Sequence, residues 1–220
     1  MMRIALLLVT LALTCGAAGA NRQPMAPDND VDVTAGWNAY RASDLPRALS
    51  HFRKAADRNN RVAQFNLAVM LLAGEGTTVD PWSGVGWLRK SAELGFAQAQ
   101  FALGLLHERG EHVTRSQDEA TAWFRKAAEQ DYLAAQVGLA TQYFLGRGAP
   151  RDLKQAAQWY ERAADQGDEA SAYIIASFYE KGEGVEQDYP RALYYYTLAA
   201  GAGEPAAVMK AREMRGKLPR

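Results

Sequence analysis

A step of 36 residues runs through this chain and constrains its fold before any motif is weighed. Trp87, Trp123, Trp159 and Tyr195 are each 36 apart, and so are Gly74, Gly110, Gly146 and Gly182. Leu67, Leu103, Leu139 and Ile175 keep the step, as do Gly84, Ala120, Ala156 and Ala192, and Lys54, Lys90, Lys126 and Arg162. No insertion breaks the register from Lys54 to Ala200. A fixed period between about 20 and 50 residues marks an architecture in which each unit covers the apolar face left open by the one before.

Within a unit the apolar spacing is helical. Ala99, Leu103 and Leu106 share one helix face, and Ala120, Trp123, Phe124 and Ala127 share another. Between two such stretches lies a glycine-rich turn: GEGTTVDP, GEHVTRSQ, GRGAPRDL and GEGVEQDY. Gly74, Gly110, Gly146 and Gly182 stand where a helix ends in a left-handed residue. Asp80, Asp152 and Asp188, with Ser116 in the same place, are caps for the next helix, and Pro81 and Pro190 suit a first turn. Each unit is therefore a helical hairpin. Its paired alanines, such as Ala127-Ala128 and Ala163-Ala164, allow close helix approach while Trp123, Trp159 and Tyr195 fill the adjoining space.

The stretches AQFALGLLHERGEHVTRSQDEATAWFRKAAEQD and AAQVGLATQYFLGRGAPRDLKQAAQWYERAADQGD resemble Sel-one-like repeats, and the likeness runs from about Val62 to Glu204. It implies an all-α fold, a right-handed α-solenoid of helical hairpins, with repeats over 62–97, 98–133, 134–168 and 169–204. The stretch at 34–61 departs from the pattern. Gly36 precedes Lys54 by 18 residues where Gly104 precedes Lys126 by 22, so four turn residues are missing and this hairpin resembles a tetratricopeptide unit. Residues 205–220 read as a C-terminal capping helix and tail, with charges on the outer face.

Residues 1–20 have the layout of a secretory signal: Arg3, an apolar run from Ile4 to Leu13, then small residues up to Ala20, with cleavage before Asn21. The run is too short to span a bilayer, which needs about 20 residues. Export to a periplasm or an equivalent space is the expectation, with 21–33 as a flexible linker. Cys15, the only cysteine, lies inside the signal. Lipidation there is the minor alternative, since Thr14 is bulkier than the small residue such sites favour. Basic and acidic residues number 25 each; removing Arg3 with the signal leaves 24 against 25, or −1. That balance offers no basic field for nucleic acid or an anionic membrane.

No constellation of catalytic residues emerges. His51 takes the place of Trp87, His107 that of Tyr143, and His112 that of the turn glycines. His107 and His112 lie across a helix end with no cysteine or paired carboxylate to complete a metal site. GEGTTVD and GRGAPRD follow helices and lack the Gly-Lys-Ser/Thr ending of a phosphate loop, and no Gly-x-Ser-x-Gly elbow occurs. Glu129, Asp165 and Asp168 sit at helix ends, where solvated or capping roles prevail. The expectation is a non-enzyme without metal or cofactor.

A binding surface remains. By its resemblance to tetratricopeptide hairpins, the first helix of each unit lines the concave side and holds a protein or peptide. The inward residues would be Phe65 and Val69, then Phe101, Leu105, Glu108 and Arg109. Thr141, Phe144 and Leu145 follow, then Tyr173, Ser177, Glu180 and Lys181. Phe65, Phe101 and Tyr173 share one phase and suit packing against the next hairpin at least as well, and the charged members suit solvated roles. Phe144 and Leu145 are favoured, as two large apolar residues at positions that vary between charge and aliphatic elsewhere. Trp82 and Tyr194 lack aromatic counterparts; each reads as an interface anchor or, more commonly for such residues, as a ring covered by a neighbouring loop. Within the adaptor class implied by the resemblance, an envelope scaffold and an immunity-type protein against a toxic effector are alternatives. A hydrolase or β-lactam-binding protein ranks last, because the paired cysteines of such relatives and a serine with its base are missing.

Overall fold

The computed structural model describes residues 29–218; the expected signal at 1–20, Cys15 and most of the expected linker lie outside them. Eleven α-helices and no strand are found among the described residues. They are α1 (Val31–Arg41), α2 (Leu45–Asp57), α3 (Arg61–Ala73), α4 (Pro81–Glu93), α5 (Ala97–Arg109) and α6 (Gln117–Ala128). Then come α7 (Leu133–Leu145), α8 (Leu153–Asp165), α9 (Glu169–Lys181), α10 (Tyr189–Ala199), a 3₁₀ turn at Ala200–Ala202 and α11 (Pro205–Lys217). The chain divides into two compact units at Ala127/Ala128.

Short polar signals set the helix ends. The carboxylates of Asp80, Asp152 and Asp188 accept the amides of Ser83, Gln155 and Arg191, as capping predicts. Gly74, Gly110, Gly146 and Gly182 end the first helices with φ between 68° and 75°. A second turn glycine is required for a different reason: a Cβ on Gly76 or Gly184 would lie 2.6 or 2.3 Å from the Leu45 or Leu153 carbonyl oxygen. The link between hairpins is left-handed too, at Asn59, Gly95, Asp131, Gly167 and Gly203, again 36 apart.

In the first unit α1 and α2 are joined by only residues 42–44, whereas α3 and α4 are joined by 74–80, the four-residue difference read from the sequence. The first helix begins earlier than expected, at Val31, inside the stretch assigned to a linker. Asp30 caps it by accepting the Asp32 and Val33 amides, and Val33 is buried. Helix pairs close on small residues: Gly36 and Gly104 sit so near the Phe52 and Phe124 rings that a Cβ would meet them at 2.7 and 2.6 Å. Leu67, Leu88, Leu103 and Leu106 fill the core around them.

In the second unit Ala156, Ala163, Ala164, Ala172, Ala192 and Ala199 are buried, with Ile175, Tyr196 and Met214 between them. The capping helix α11 contributes Ala207 and Met214, which covers the last hairpin's apolar face as a terminal unit must. Trp123 is buried but Trp87 and Trp159 are only half-buried, so the repeated indole is an edge of the core more than its centre. Lys90, Lys126 and Arg162 recur beside it: each lies over the indole three residues before it, at 4.0, 3.9 and 4.7 Å from the ring centroid. The 36-residue recurrence of a basic residue beside Trp is a cation–π pair on one helix face.

Candidate functional site

The first helices of the hairpins carry the expected binding residues, and each unit shows how many of them packing has claimed. In the first unit Phe65 meets Phe96 edge-on at 5.3 Å, and Phe101 is 8% exposed with its ring 5.5 Å from Phe124. In the second unit Tyr173 meets Tyr196 at 5.2 Å. These three rings follow the packing reading. Val69 and Leu105 are half-buried, as is Glu108, whose carbonyl accepts from Arg115 Nε and Gln117 Nε2. Arg109 is exposed and lies 3.9 Å from Glu111.

Phe144 departs from the expectation of an exposed apolar pair. It is half-buried, 5.9 Å from the Phe178 ring, with the Arg151 guanidinium 6.0 Å from its ring centroid. Only Leu145, 45% exposed, projects into solvent. Thr141 is turned inward as well, bonded to the Val137 carbonyl and the Tyr160 hydroxyl.

Glu180 is the larger correction. Instead of a free groove charge it is a nearly buried anchor for the capping helix, accepting from Tyr196 Oη at 2.7 Å and from Lys210 Nζ at 2.9 Å, with Lys217 at 3.8 Å. Burial alone would raise its carboxyl, but the bonds from Tyr196 and Lys210 outweigh that and hold it below the ordinary Glu range. Its neighbour Lys181 is exposed. On the opposite side of the last hairpin, Tyr195 Oη donates to Glu161 and Asp165, and Tyr179 Oη to Glu161; burial first, then the carboxylates, keeps both phenols protonated.

The histidines occupy structural slots. His51 donates from Nδ1 to Asp32, His107 from Nδ1 to the Thr114 carbonyl, and His112 holds a left-handed turn at φ 59°. Among the described residues no group of three or more His, Cys, Asp or Glu is placed to hold a metal ion, and no helix is long and apolar enough to cross a membrane.

The sequence reading missed one recurring polar feature. Gln64, Gln100 and Gln136, 36 apart, are buried and donate to the carbonyls of Ala56, Ala92 and Ala128, each eight residues earlier. They tie a helix end to the next hairpin, and their spacing was the available signal. Trp82 reverses the favoured reading: it is 88% exposed, not covered by a loop. Tyr194, 56% exposed, leans edge-on against Tyr195 and stays open as well.

Comparison with known proteins accounts for the recurring hairpin. The Sel1 repeat model matches residues 39–60, 61–96, 97–132, 133–168 and 170–204. A Sel1 repeat protein from Oxalobacter formigenes is 34% identical over 82% of this chain and 74% of its own, with a TM-score of 0.76. A second solved structure, the protective antigen c5321 of uropathogenic Escherichia coli with an SLR fold, is 32% identical with the same TM-score. The likeness takes in 82% of this chain but only 39% of that one. No curated protein sequence matches.

Proposed function

The chain belongs to the Sel1 repeat family, and from that membership we propose a non-catalytic module that binds a protein or peptide along the first helices of its hairpins. The repeat fold supplies rigid, similar helix faces whose few variable residues decide the partner. One observation carries the reading to a place: Leu145 stands in solvent at the end of α7, beside half-buried Phe144. Lys181 on α9, and Leu105, Glu108 and Arg109 on α5, are further partly open positions in their own units. The signal layout at residues 1–20 supports action in an exported compartment.

Mature protein from Asn21 onward, used as bait in the envelope fraction of its source, tests this with Leu145→Glu as control. The expected result is a partner that the wild type retains and the variant loses at an unchanged melting midpoint. Equal capture by both would remove Leu145 from the surface, and turnover of a hydrolase substrate abolished by a single substitution would overturn the non-catalytic reading. A toxic effector as the captured partner would give an immunity role, an envelope component a scaffold.

A further inference from the structure

The capping helix α11 keeps the 36-residue step. Ala207 stands one step beyond Ala63, Ala99, Ala135 and Ser171, and Met214 one step beyond Met70, Leu106, Gln142 and Phe178. All of these are buried. In this register α11 lies on the last hairpin as each first helix lies on the hairpin before it.

Two other positions break the pattern. The step through Ala68, Gly104, Ala140 and Ala176 reaches Arg212, and the step through Leu71, His107, Tyr143 and Tyr179 reaches Arg215. The earlier residues face the second helix of their own hairpin. A Cβ on Gly104 would lie 2.6 Å from the Phe124 ring, and one on Gly84 would lie 3.3 Å from the Ala68 carbonyl oxygen. Tyr179 stacks on Tyr195 at 6.0 Å. Arg212 and Arg215 are exposed, and no second helix follows α11 among the described residues.

We propose that Arg212 and Arg215 close this face of α11 to a further helix and so keep a second copy of the chain from docking on it. A helix at the distance used by the earlier hairpins would meet the Arg212 side chain where the repeat admits no more than a methyl group, and would strip its charge of water. The rest of the face invites contact: Val208 and Ala211 are half-buried and Met209 is 69% exposed. Lys210 and Lys217 are paired with Glu180 and Glu213. Glu204 is the acidic residue on the stripe of Val208 and Arg212, at the far end of α11 from Arg215. Two copies of α11 packed antiparallel would set Glu204 near the other copy's Arg215 at each rim, where exposed pairs contribute little. Nearer the centre they would bury both Arg212 side chains, because a two-fold contact repeats every obstacle.

Sedimentation velocity of the protein from Asn21 onward tests this. Wild type is expected to stay a monomer at the highest concentration reached. Arg212→Ala with Arg215→Tyr, which restores the residue types of Ala140 with Tyr143 and of Ala176 with Tyr179, should dimerise at least about tenfold more tightly at unchanged helix content. Arg212→Ala alone should shift association the same way by less, and it decides the matter if the double variant loses helix. Arg212→Lys with Arg215→Lys should remain a monomer. Cys15 precedes Asn21, so Met209→Cys added to the double variant brings the one thiol. Oxidation should cross-link that dimer, whereas Val31→Cys in its place should not. A double variant that is folded and monomeric, a wild type that associates as tightly, or equal cross-linking through both thiols would each overturn the proposal.

Discussion

His112 stands where the other turns carry Gly76, Gly148 and Gly184, and it holds the same left-handed backbone at φ 59°. A side chain there costs roughly 1–2 kcal/mol that glycine avoids. His112→Gly is therefore expected to raise the melting midpoint by about 2–4 °C, the shift that about 1 kcal/mol produces in a chain of this size. Trp123 tests the opposite sign. It is 6% exposed and carries Lys126 over its ring, so Trp123→Ala should lose about 3–5 kcal/mol in a denaturant titration. Trp82→Ala, at 88% exposure, should change stability by less than about 0.5 kcal/mol. Both indoles are legible as Trp in helices of the repeat; their fates differ because only Trp123 lies in the recurring phase. The sequence alone still favoured a covered Trp82, since Trp is usually buried and no spacing rule says which outer residue stays bare.

Helix order, turn lengths and caps were legible for the same reason: each is written several times, and one unit checks another. The ends of the molecule have no such copies. At the amino end, α1 starts at Val31 because Asp30 caps it and Arg58 clamps Asp30 and Asp32 at 2.8 Å each, a link between residues about two helices apart. At the carboxyl end Glu180 looked like a groove charge, because the repeat phase places it on a first helix while Lys210 and Lys217 lie beyond the last repeat. Its depressed carboxyl gives that anchor a pH signature. A group whose folded pKa lies below its unfolded one stabilises fully above the unfolded value, about 4.3 for Glu, and the contribution fades as pH falls through the folded value. Glu180→Gln should melt below wild type at neutral pH, and the gap should close as the pH is taken below about 4. A gap that persisted in acid would mean that the side chain's packing matters more than its charge.

In the whole molecule the repeat makes stability a sum of local terms, since each hairpin rests on its neighbours instead of on one shared centre. The two compact units divide at Ala127/Ala128, and the tryptophans divide unequally between them: Trp37, Trp82, Trp87 and Trp123 precede the division and Trp159 follows it. Tryptophan fluorescence therefore reports mostly the first unit, whereas far-ultraviolet circular dichroism reports helices of both. Leu67 and Ile175 occupy the same repeat position, each fully buried, one in each unit. Leu67→Ala and Ile175→Ala should each cost about 2–5 kcal/mol locally. If the units hold their stability locally, Leu67→Ala lowers the urea midpoint seen by fluorescence, while Ile175→Ala lowers the dichroism midpoint and moves fluorescence less. Coincident shifts in both signals for both variants would instead mean that the hairpins unfold as one cooperative block. The expected split follows from the same cause as the 36-residue step: a helix face satisfied by its immediate neighbour has no need of a distant one.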